Sequence, residues 1–413
     1  MSRRLLRVDL LRLAVTASFL LLATLAWAGP YNILHVFLNT PHPSSGLVID
    51  SFGNAYGTTF NGGGHNSAGT VYKLSSVAGY QTIYSFSGPD GSNPYGSLTI
   101  DSAGNLYGTT THGGLVSDQC PTGCGTVYRL TPPNNDGAWA ETTLYSFTGE
   151  SDGALIRSGV IFDSNGNLYG AARQGGPAQC GTVFELTPSQ NDQWIEQTLF
   201  AFGSAGCDPG DGLVFDTDGN LYGTTIVGGA SNGGTAFQLS PLPDGTWAYS
   251  TIYEFNSYLG DGSEPSSGLS IDQAGNLYGV TSGGGSSNFG TAFELSPSGG
   301  NWAESILYNF LGGDDGANPQ DKLVFDGKGD IYGVTFKGGG SHNYGTIFRL
   351  APVGNGSWTE SSFSMGSGSR GQGPIGPVLL DAKGHLYGTA WDGGRDKKGI
   401  IGHGVVYRLN IGE

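Results

Sequence analysis

A short phrase recurs seven times along this chain of 413 residues. Its second copy reads LTIDSAGNLYGTT from Leu98. The aspartate of the phrase recurs at Asp50, Asp101, Asp163, Asp216, Asp272, Asp326 and Asp381. The steps between successive copies are 51, 62, 53, 56, 54 and 55 residues. This period lies near that of propeller blades and is too long for leucine-rich or β-helical coils. The sequence therefore predicts a ring of seven similar units.

Each unit divides into four short strands, as the second copy shows. LTID and LYGTT are strands joined by an Asp-x-x-Gly-Asn turn, in which Asp accepts a backbone N–H and Gly takes a positive φ. A glycine-rich loop leads to GTVYRL, and WAETTLYSF completes the unit. In each Tyr-Gly pair, we expect the ring to cover a neighbouring sheet and the glycine to make room for it. These features predict an all-β fold, a seven-bladed antiparallel β-propeller in one domain, residues 29–413.

The outer strand indicates how the ring closes. Unit seven has no fourth strand after Leu409, whereas the segment YNILHVF from Tyr31 matches YQTIYSF, the outer strand of unit one. We therefore expect the N-terminal strand to pair beside the last C-terminal strand. Such pairing covers an edge that would otherwise promote aggregation.

The first 28 residues have the pattern of a signal peptide. Four arginines precede an apolar run from Leu13 to Leu25, and Ala26-Trp27-Ala28 offers the small residues of a cleavage site. A membrane anchor is disfavoured because the run is shorter than the ~20 residues that a bilayer requires. We predict a mature chain from Gly29 that is secreted, extracellular or periplasmic, with no membrane partner.

Charge excludes one class of partner. The net charge is −16, and loss of the signal peptide, with four arginines and one aspartate, makes it −19. Nucleic acid is therefore not an expected partner. The 74 glycines would suit a disordered chain, but twenty tyrosines and twenty phenylalanines placed periodically favour a folded one. We expect a monomer.

Four cysteines fit an exported protein. Cys120 and Cys124 lie in the loop between the second and third strands of unit two, and Cys180 lies in that of unit three. Cys207 lies in the connection that enters unit four. Such loops and connections emerge on one face of a propeller, so we favour Cys120–Cys124 and Cys180–Cys207 among the three possible pairings. A zinc site made of all four cysteines is the alternative.

Two sets of polar residues are candidate metal ligands. The connections between units carry Asp90, Asp152, Asp208, Asp261 and Asp315. We favour a role in turns, while calcium, which prefers carboxylate and carbonyl oxygens, is the alternative and the one cofactor considered. Loops of consecutive units carry His342, His403, His65 and His112. We interpret these as solvated, since zinc ligands must converge within ~2.0–2.1 Å of one ion.

Unit seven departs most from the repeat and contains the predicted binding site. Its connection carries Arg370, and its loop, WDGGRDKKGIIGHG, concentrates charge in a chain that has little. The candidate ligand-binding residues are Arg370, Trp391, Asp392, Arg395, Asp396 and His403. Trp391 is the only tryptophan of the predicted mature chain outside the outer-strand positions, so the repeat does not dictate its packing. A solvated loop beside the ring closure is the alternative.

The phrase G-L-x-x-D-x-x-G-N-L-Y-G-x-T, then Gly-Gly, then G-T-[VA]-[YF]-x-L, resembles the GloVer repeat of secreted bacterial proteins. The resemblance covers essentially the whole predicted mature chain, and it implies an extracellular repeat protein with no established reaction. The order Gly-Gly, Tyr or Phe, then Trp is also similar to kelch propellers. That likeness implies the same fold and no activity.

Two hypotheses of function follow. The first is a secreted binding or scaffold module that recognises an extracellular glycan or a protein partner, with Trp391 stacking on a sugar and Asp392, Arg395 and Asp396 binding its hydroxyls. The second is a secreted carbohydrate-active hydrolase or lyase with an acidic site at the propeller mouth. Binding is favoured because an enzyme needs a positioned acid and base, and the sequence shows no such pair.

Overall fold

A computed structural model describes residues 30–39, 41–64, 66–135, 137–256, 258, 260–366 and 368–411. In these ranges the chain forms seven antiparallel blades arranged in a ring, which confirms the predicted β-propeller. A 3₁₀ turn at Gln190–Asp192 lies between the last two strands of the third blade. Within the same ranges, no helix has the length and apolarity that crossing a membrane requires. The predicted signal peptide, residues 1–28, and His65 lie outside the described residues.

The strands are as follows, from the inner to the outer edge of each blade. Strand β1 is Tyr31–Val36. Blade one has β2 (Val48–Ile49), β3 (Ala55–Thr59), β4 (Thr70–Ser75) and β5 (Gly79–Ser85). Blade two has β6 (Ser92–Pro94), β7 (Thr99–Ile100), β8 (Leu106–His112), β9 (Thr126–Thr131) and β10 (Ala140–Ser146). Blade three has β11 (Ile161–Phe162), β12 (Leu168–Ala172), β13 (Thr182–Pro188) and β14 (Trp194–Ala201). Blade four has β15 (Cys207–Pro209), β16 (Val214–Phe215), β17 (Leu221–Val227), β18 (Thr235–Pro241) and β19 (Trp247–Glu254).

The remaining blades follow the same plan. Blade five has β20 (Gly262–Ser263), β21 (Ser270–Ile271), β22 (Leu277–Thr281), β23 (Gly283–Gly284), β24 (Thr291–Ser298) and β25 (Asn301–Asn309). Blade six has β26 (Ala317–Phe325), β27 (Ile331–Lys337), β28 (Thr346–Gly354) and β29 (Ser357–Ser364). Blade seven has β30 (Gln372–Leu380), β31 (His385–Asp392) and β32 (Val405–Asn410). Blades two, four and five split the inner strand into two short pieces.

The ring closes as the sequence predicts. Strand β1 pairs antiparallel with β32, with Tyr31 opposite Leu409 and Val36 opposite Val405. The two ends of the chain therefore build one four-stranded sheet. The Tyr31 ring stacks on Phe363 of blade six at 5.3 Å, and the His35 ring stacks on Tyr80 of blade one at 3.9 Å, so the closing strand contacts both neighbouring blades.

The Asp-x-x-Gly-Asn turns are rigid hydrogen-bonded units. In blade one, Oδ1 of Asp50 accepts the backbone N–H groups of Phe52 and Asn54, both at 2.9 Å. Its Oδ2 accepts the hydroxyl of Tyr56 at 2.9 Å. Gly53 occupies the positive-φ position at 81°. The acid thus orients the tyrosine that follows the turn.

The blades pack through aromatic side chains. Tyr56 lies edge-on to Trp139 of the next blade at 5.8 Å, and this confirms that the tyrosine of each Tyr-Gly pair covers a neighbouring sheet. The packing role of the glycine in the Tyr-Gly pair differs from the predicted one. Gly57 pairs with Tyr72 on the adjacent strand, and a Cβ atom there would lie 2.5 Å from the Tyr72 hydroxyl. The glycine therefore makes room for a ring of its own blade rather than for its partner tyrosine.

Candidate functional site

Both disulfides join the cysteines that the sequence paired. Cys120 is bonded to Cys124, and Cys180 is bonded to Cys207 across the boundary between blades three and four. The zinc alternative for the four cysteines is therefore wrong. The second disulfide also shows that the loops between second and third strands share a face with the connections between blades. We call it the connection face.

Four of the five acids of the blade connections are bonded within their own turns, whereas Asp208 binds Arg173 of blade three. The carboxylate of Asp152 accepts the Tyr145 hydroxyl at 3.1 Å and the Thr148 backbone N–H at 2.8 Å. Comparable contacts hold Asp90, Asp261 and Asp315. In the described residues, none of these acids belongs to a group of three or more metal-ligating side chains. These contacts are those of the favoured turn role, and calcium binding stays the alternative.

Three of the candidate residues in blade seven have separate surroundings. The guanidinium of Arg370 lies over the Phe363 ring at 5.3 Å, against the outer strand of blade six. Oδ1 of Asp396 accepts the backbone N–H groups of Lys398 and Ile400 at 2.9 and 2.8 Å, and this carboxylate therefore closes a turn. Arg395 is exposed and lines a shallow surface hollow.

The other three candidates meet at the connection face, together with a histidine that the sequence analysis missed. Trp391 and Asp392 are the last two residues of strand β31, so the prediction that they lie in the following loop is wrong. His42 stacks on the Trp391 ring at 4.9 Å with an interplanar angle of 11°. The Nδ1 atom of His403 lies 3.9 Å from Oδ1 of Asp392. His42 comes from the segment that enters blade one, so only the ring closure brings it here.

Trp391 occupies a repeated position at the mouth of the central channel. This position follows the second-strand phrase in every unit, and it is filled by Phe60, Thr111, Arg173, Ile226, Ser282, Phe336 and Trp391. Three of its occupants are aromatic, and they belong to blades six, seven and one, which are neighbours around the closed ring. We call Phe336, Trp391 and Phe60 the aromatic arc. Alignment of the seven copies at this variable position would have identified the arc from sequence.

The arc borders a hollow at the mouth. Trp391 and Phe336 line a space of about 280 Å³ together with Tyr95. Phe60 lies 5.8 Å from Trp391 and 6.3 Å from Tyr95 between ring centroids. Tyr95 also lines the next cavity down the channel, so the two spaces are adjacent.

This deeper cavity, about 120 Å³, is lined by charged side chains of the inner strands. Arg157, Asp211, Asp321 and Lys322 face it. Burial and, to a lesser extent, the charge of Asp211 together raise the pKa of Asp321 to about 7, against the lowering effect of the Gly376 backbone N–H. Burial also lowers the pKa of Lys322. These residues lie outside the repeated phrase, so no pattern in the sequence predicted them.

Charged side chains also lie at the side of the channel mouth opposite the aromatic arc. The guanidinium of Arg173 binds the carboxylate of Asp208 through two N–H groups. Arg157 lies over the Tyr95 ring at 5.2 Å. Among the described residues, Oδ1 of Asp211 is buried without a hydrogen-bond partner. Burial raises the pKa of this carboxyl, while Arg173 and Arg157 oppose the rise. The mouth therefore has an aromatic side and a charged side above a polar cavity.

Comparison with known proteins assigns the family from the repeat itself. The sequence profile of the Gloeobacter/Verrucomicrobia repeat matches residues 24–214, 114–303 and 209–412. The chain belongs to this repeat family. No curated protein matches the sequence. This member of the Gloeobacter/Verrucomicrobia repeat family resembles solved structures in its fold.

Two solved structures illustrate that fold. One is the extracellular domain of a candidate hybrid two-component system from B. thetaiotaomicron, with a TM-score of 0.55 and 12% identity over 92% of this chain. The match spans 39% of that domain's chain, so this protein corresponds to about two fifths of it. The other is a candidate 6-phosphogluconolactonase from Bacteroides uniformis, with a TM-score of 0.51 and 12% identity over 89% of this chain and 100% of that one. At this identity the likeness shows the propeller fold alone.

Proposed function

We propose that this Gloeobacter/Verrucomicrobia repeat protein is a secreted binding module that recognises an extracellular glycan at the mouth of its central channel. One observation carries the proposal: the aromatic arc borders a hollow that adjoins, at Tyr95, a deeper cavity lined by both acidic and basic side chains. Sugars present an apolar C–H face, which suits an aromatic ring, and hydroxyls, which suit charged hydrogen-bonding groups.

The mixed charge of the cavity supports a neutral, polyhydroxylated ligand. Arg157 and Lys322 supply donors, whereas Asp211 and Asp321 supply acceptors. A nucleotide or phosphate would be repelled by these acids and by the net charge of −16. Two disulfides are typical of an exported protein, which would meet glycans outside the cell.

Binding to a glycan array, followed by calorimetry with the best ligand, tests the proposal. Trp391→Ala should weaken binding about tenfold or more, as for an aromatic residue at a binding hot spot. Ile226→Ala is the matched control because Ile226 occupies the same repeat position in blade four, away from the arc. Arg157→Gln should alter which glycan is preferred, since polar contacts select among hydroxyls. Equal affinity of the Trp391→Ala and Ile226→Ala variants would rule out the arc as the binding surface.

A hydrolase or lyase is the second candidate, and the cavity gives it one specific argument. Asp211 and Asp321 line the same space, and the pKa of Asp321, raised to about 7, suits a general acid at neutral pH. The array ligand should be incubated with the protein and its products analysed. Stable recovery of intact glycan supports the binding module, whereas cleavage that Asp321→Asn abolishes at unchanged affinity would establish the enzyme.

A further inference from the structure

His42, Asp392 and His403 form a cluster of metal-ligating groups at the seam where the ring closes. In the described residues it is the only group of three such side chains whose ligand atoms all lie within 4.8 Å of one another. We propose that this cluster binds a first-row divalent cation, represented by Zn²⁺, and that the bound ion fastens the closure of the propeller. The proposal goes beyond glycan recognition, since it concerns a different ligand and a different set of side chains.

The distances between the ligand atoms of the cluster are close to those in a metal-bound site. Ligand atoms around a tetrahedral zinc ion lie about 3.3 Å apart when the bonds measure ~2.0–2.1 Å. His403 Nδ1 and Asp392 Oδ1 are already 3.9 Å apart. The His403 side chain is 47% exposed, so a small rotation toward the other two ligands meets little resistance. No backbone rearrangement is needed to gather the three groups.

Further hydrogen bonds orient two of the ligands. The ring of His42 donates its Nδ1–H to the backbone carbonyl of Trp391 at 2.8 Å, which leaves the lone pair on Nε2. The carboxylate of Asp392 accepts Gln372 Nε2 at 3.1 Å and the Gly393 backbone N–H at 2.8 Å. Metal-bound histidines commonly donate their second ring N–H to a carbonyl, and metal-bound carboxylates are themselves hydrogen-bonded. The cluster therefore has the supporting contacts of a metal site as well as its ligands.

The donor set selects the class of metal. Two imidazoles and one carboxylate suit zinc, nickel, copper or iron, whereas calcium and magnesium prefer sites made of oxygen atoms. Three protein ligands also leave coordination positions for water or for an external group. This cation differs from the calcium that the acidic connections suggested, both in its chemistry and in its place.

The cluster lies where a bound ion would link the two ends of the chain. His42 belongs to the segment that follows the closing strand, whereas Asp392 and His403 belong to blade seven. The backbone N–H of His403 donates to the Phe37 carbonyl at 2.8 Å, and Phe37 donates to the Gly404 carbonyl at 3.0 Å. An ion bound here would tie the N-terminal segment to the last blade beside these hydrogen bonds. Because the ligands converge only in the folded ring, the ion stabilises that state.

Zinc titration of the chelator-treated protein tests the proposal. Isothermal calorimetry at neutral pH should show one strong Zn²⁺ site per chain, and saturating Zn²⁺ should raise the melting temperature. His403→Ala should weaken Zn²⁺ binding at least tenfold and remove the thermal shift. Because the His403 side chain is exposed, we expect this variant to keep the fold. His42→Ala and Asp392→Asn should give the same result. His342→Ala is the matched control, because His342 is another exposed loop histidine on the same face, and it should bind Zn²⁺ as the unaltered chain does.

Two results would overturn the proposal. One is the absence of Zn²⁺, Ni²⁺ and Co²⁺ binding by the unaltered chain. The other is Zn²⁺ binding that His403→Ala leaves unchanged, or that His342→Ala weakens equally, since either would indicate adventitious binding at surface histidines.

Discussion

Two seams between blades use the same repeat positions for different chemistry. Between blades three and four, Arg173 binds Asp208 and a disulfide joins Cys180 to Cys207. At the closure between blades seven and one, the position of Arg173 holds Trp391 and that of Cys180 holds His403.

The partners of Arg173 and Trp391 also occupy equivalent positions. Asp208, which binds Arg173, and His42, which stacks on Trp391, each directly precede a proline at the entry to the next blade. An ion pair and a disulfide at one seam correspond to an aromatic stack and a candidate metal site at the other. The repeat thus fixes where contacts between blades occur, whereas individual side chains decide what kind of contact each one is.

Removal of the closing strand should have the largest effect. A chain starting at Leu38 loses β1 and the buried Phe37, and with them the apolar contacts of Tyr31, Ile33 and Val36. At roughly 1.5–3 kcal/mol for each apolar side chain, the loss amounts to about 5 kcal/mol or more and exposes the edge of β32. We expect aggregation or a collapse of the melting temperature, measured by calorimetry and light scattering. A chain starting at Pro30 is the control, and equal melting of the two would show that closure contributes nothing.

Removal of the seam disulfide should have the second largest effect. Cys180 and Cys207 are 27 residues apart, so the double variant Cys180→Ala/Cys207→Ala should lose about 3–4 kcal/mol of unfolding free energy through added freedom of the unfolded chain. Cys120→Ala/Cys124→Ala is the control, with a separation of 4 residues and an expected loss of about 2 kcal/mol. Denaturant unfolding measures both. A smaller loss for the longer loop would mean that the ion pair of Arg173 and Asp208 holds this seam without the disulfide.

Mild acid should weaken the closure more than the disulfide-linked seam. His35 of the closing strand stacks on Tyr80 at 3.9 Å, and burial lowers its pKa from 6.5 to about 4. The folded state therefore binds fewer protons than the unfolded state between these values, and its stability falls as the pH drops from 6.5 toward 4. Allowing for solvent around a half-buried ring, the loss is about 1–2 kcal/mol.

His35→Phe keeps an aromatic ring at this position and removes the charge. Unfolding free energies at pH 7 and pH 4.5 should therefore differ less in the variant than in the unaltered chain. Parallel pH profiles for the two proteins would show that His35 is not the acid-sensitive group of the closure.

The sequence determined the repeated architecture because its causes are local. The Asp-x-x-Gly-Asn turn is built from contacts within seven residues, as Asp50 and Tyr56 show, and the strand pattern around it repeats in each unit. The amino-acid sequence likewise predicted that unit seven lacks its outer strand and that the segment beginning at Tyr31 supplies it. Even the pairing of Cys180 with Cys207 followed from knowing which loops share a face.

Only the tertiary structure decided the site. The hydrogen bond from His42 to Trp391 spans 349 residues, and no spacing in the sequence indicates it, because it exists only once the two ends of the chain meet. Asp211 and Asp321 share a cavity because seven inner strands converge on one axis, although each lies in a segment that the repeated phrase does not describe. Arg370 and Asp396, which the charge pattern grouped with Trp391, contact other parts of blades six and seven. Turns and strands depend on near neighbours in the chain, whereas a binding site depends on the curvature of the ring that brings distant residues together.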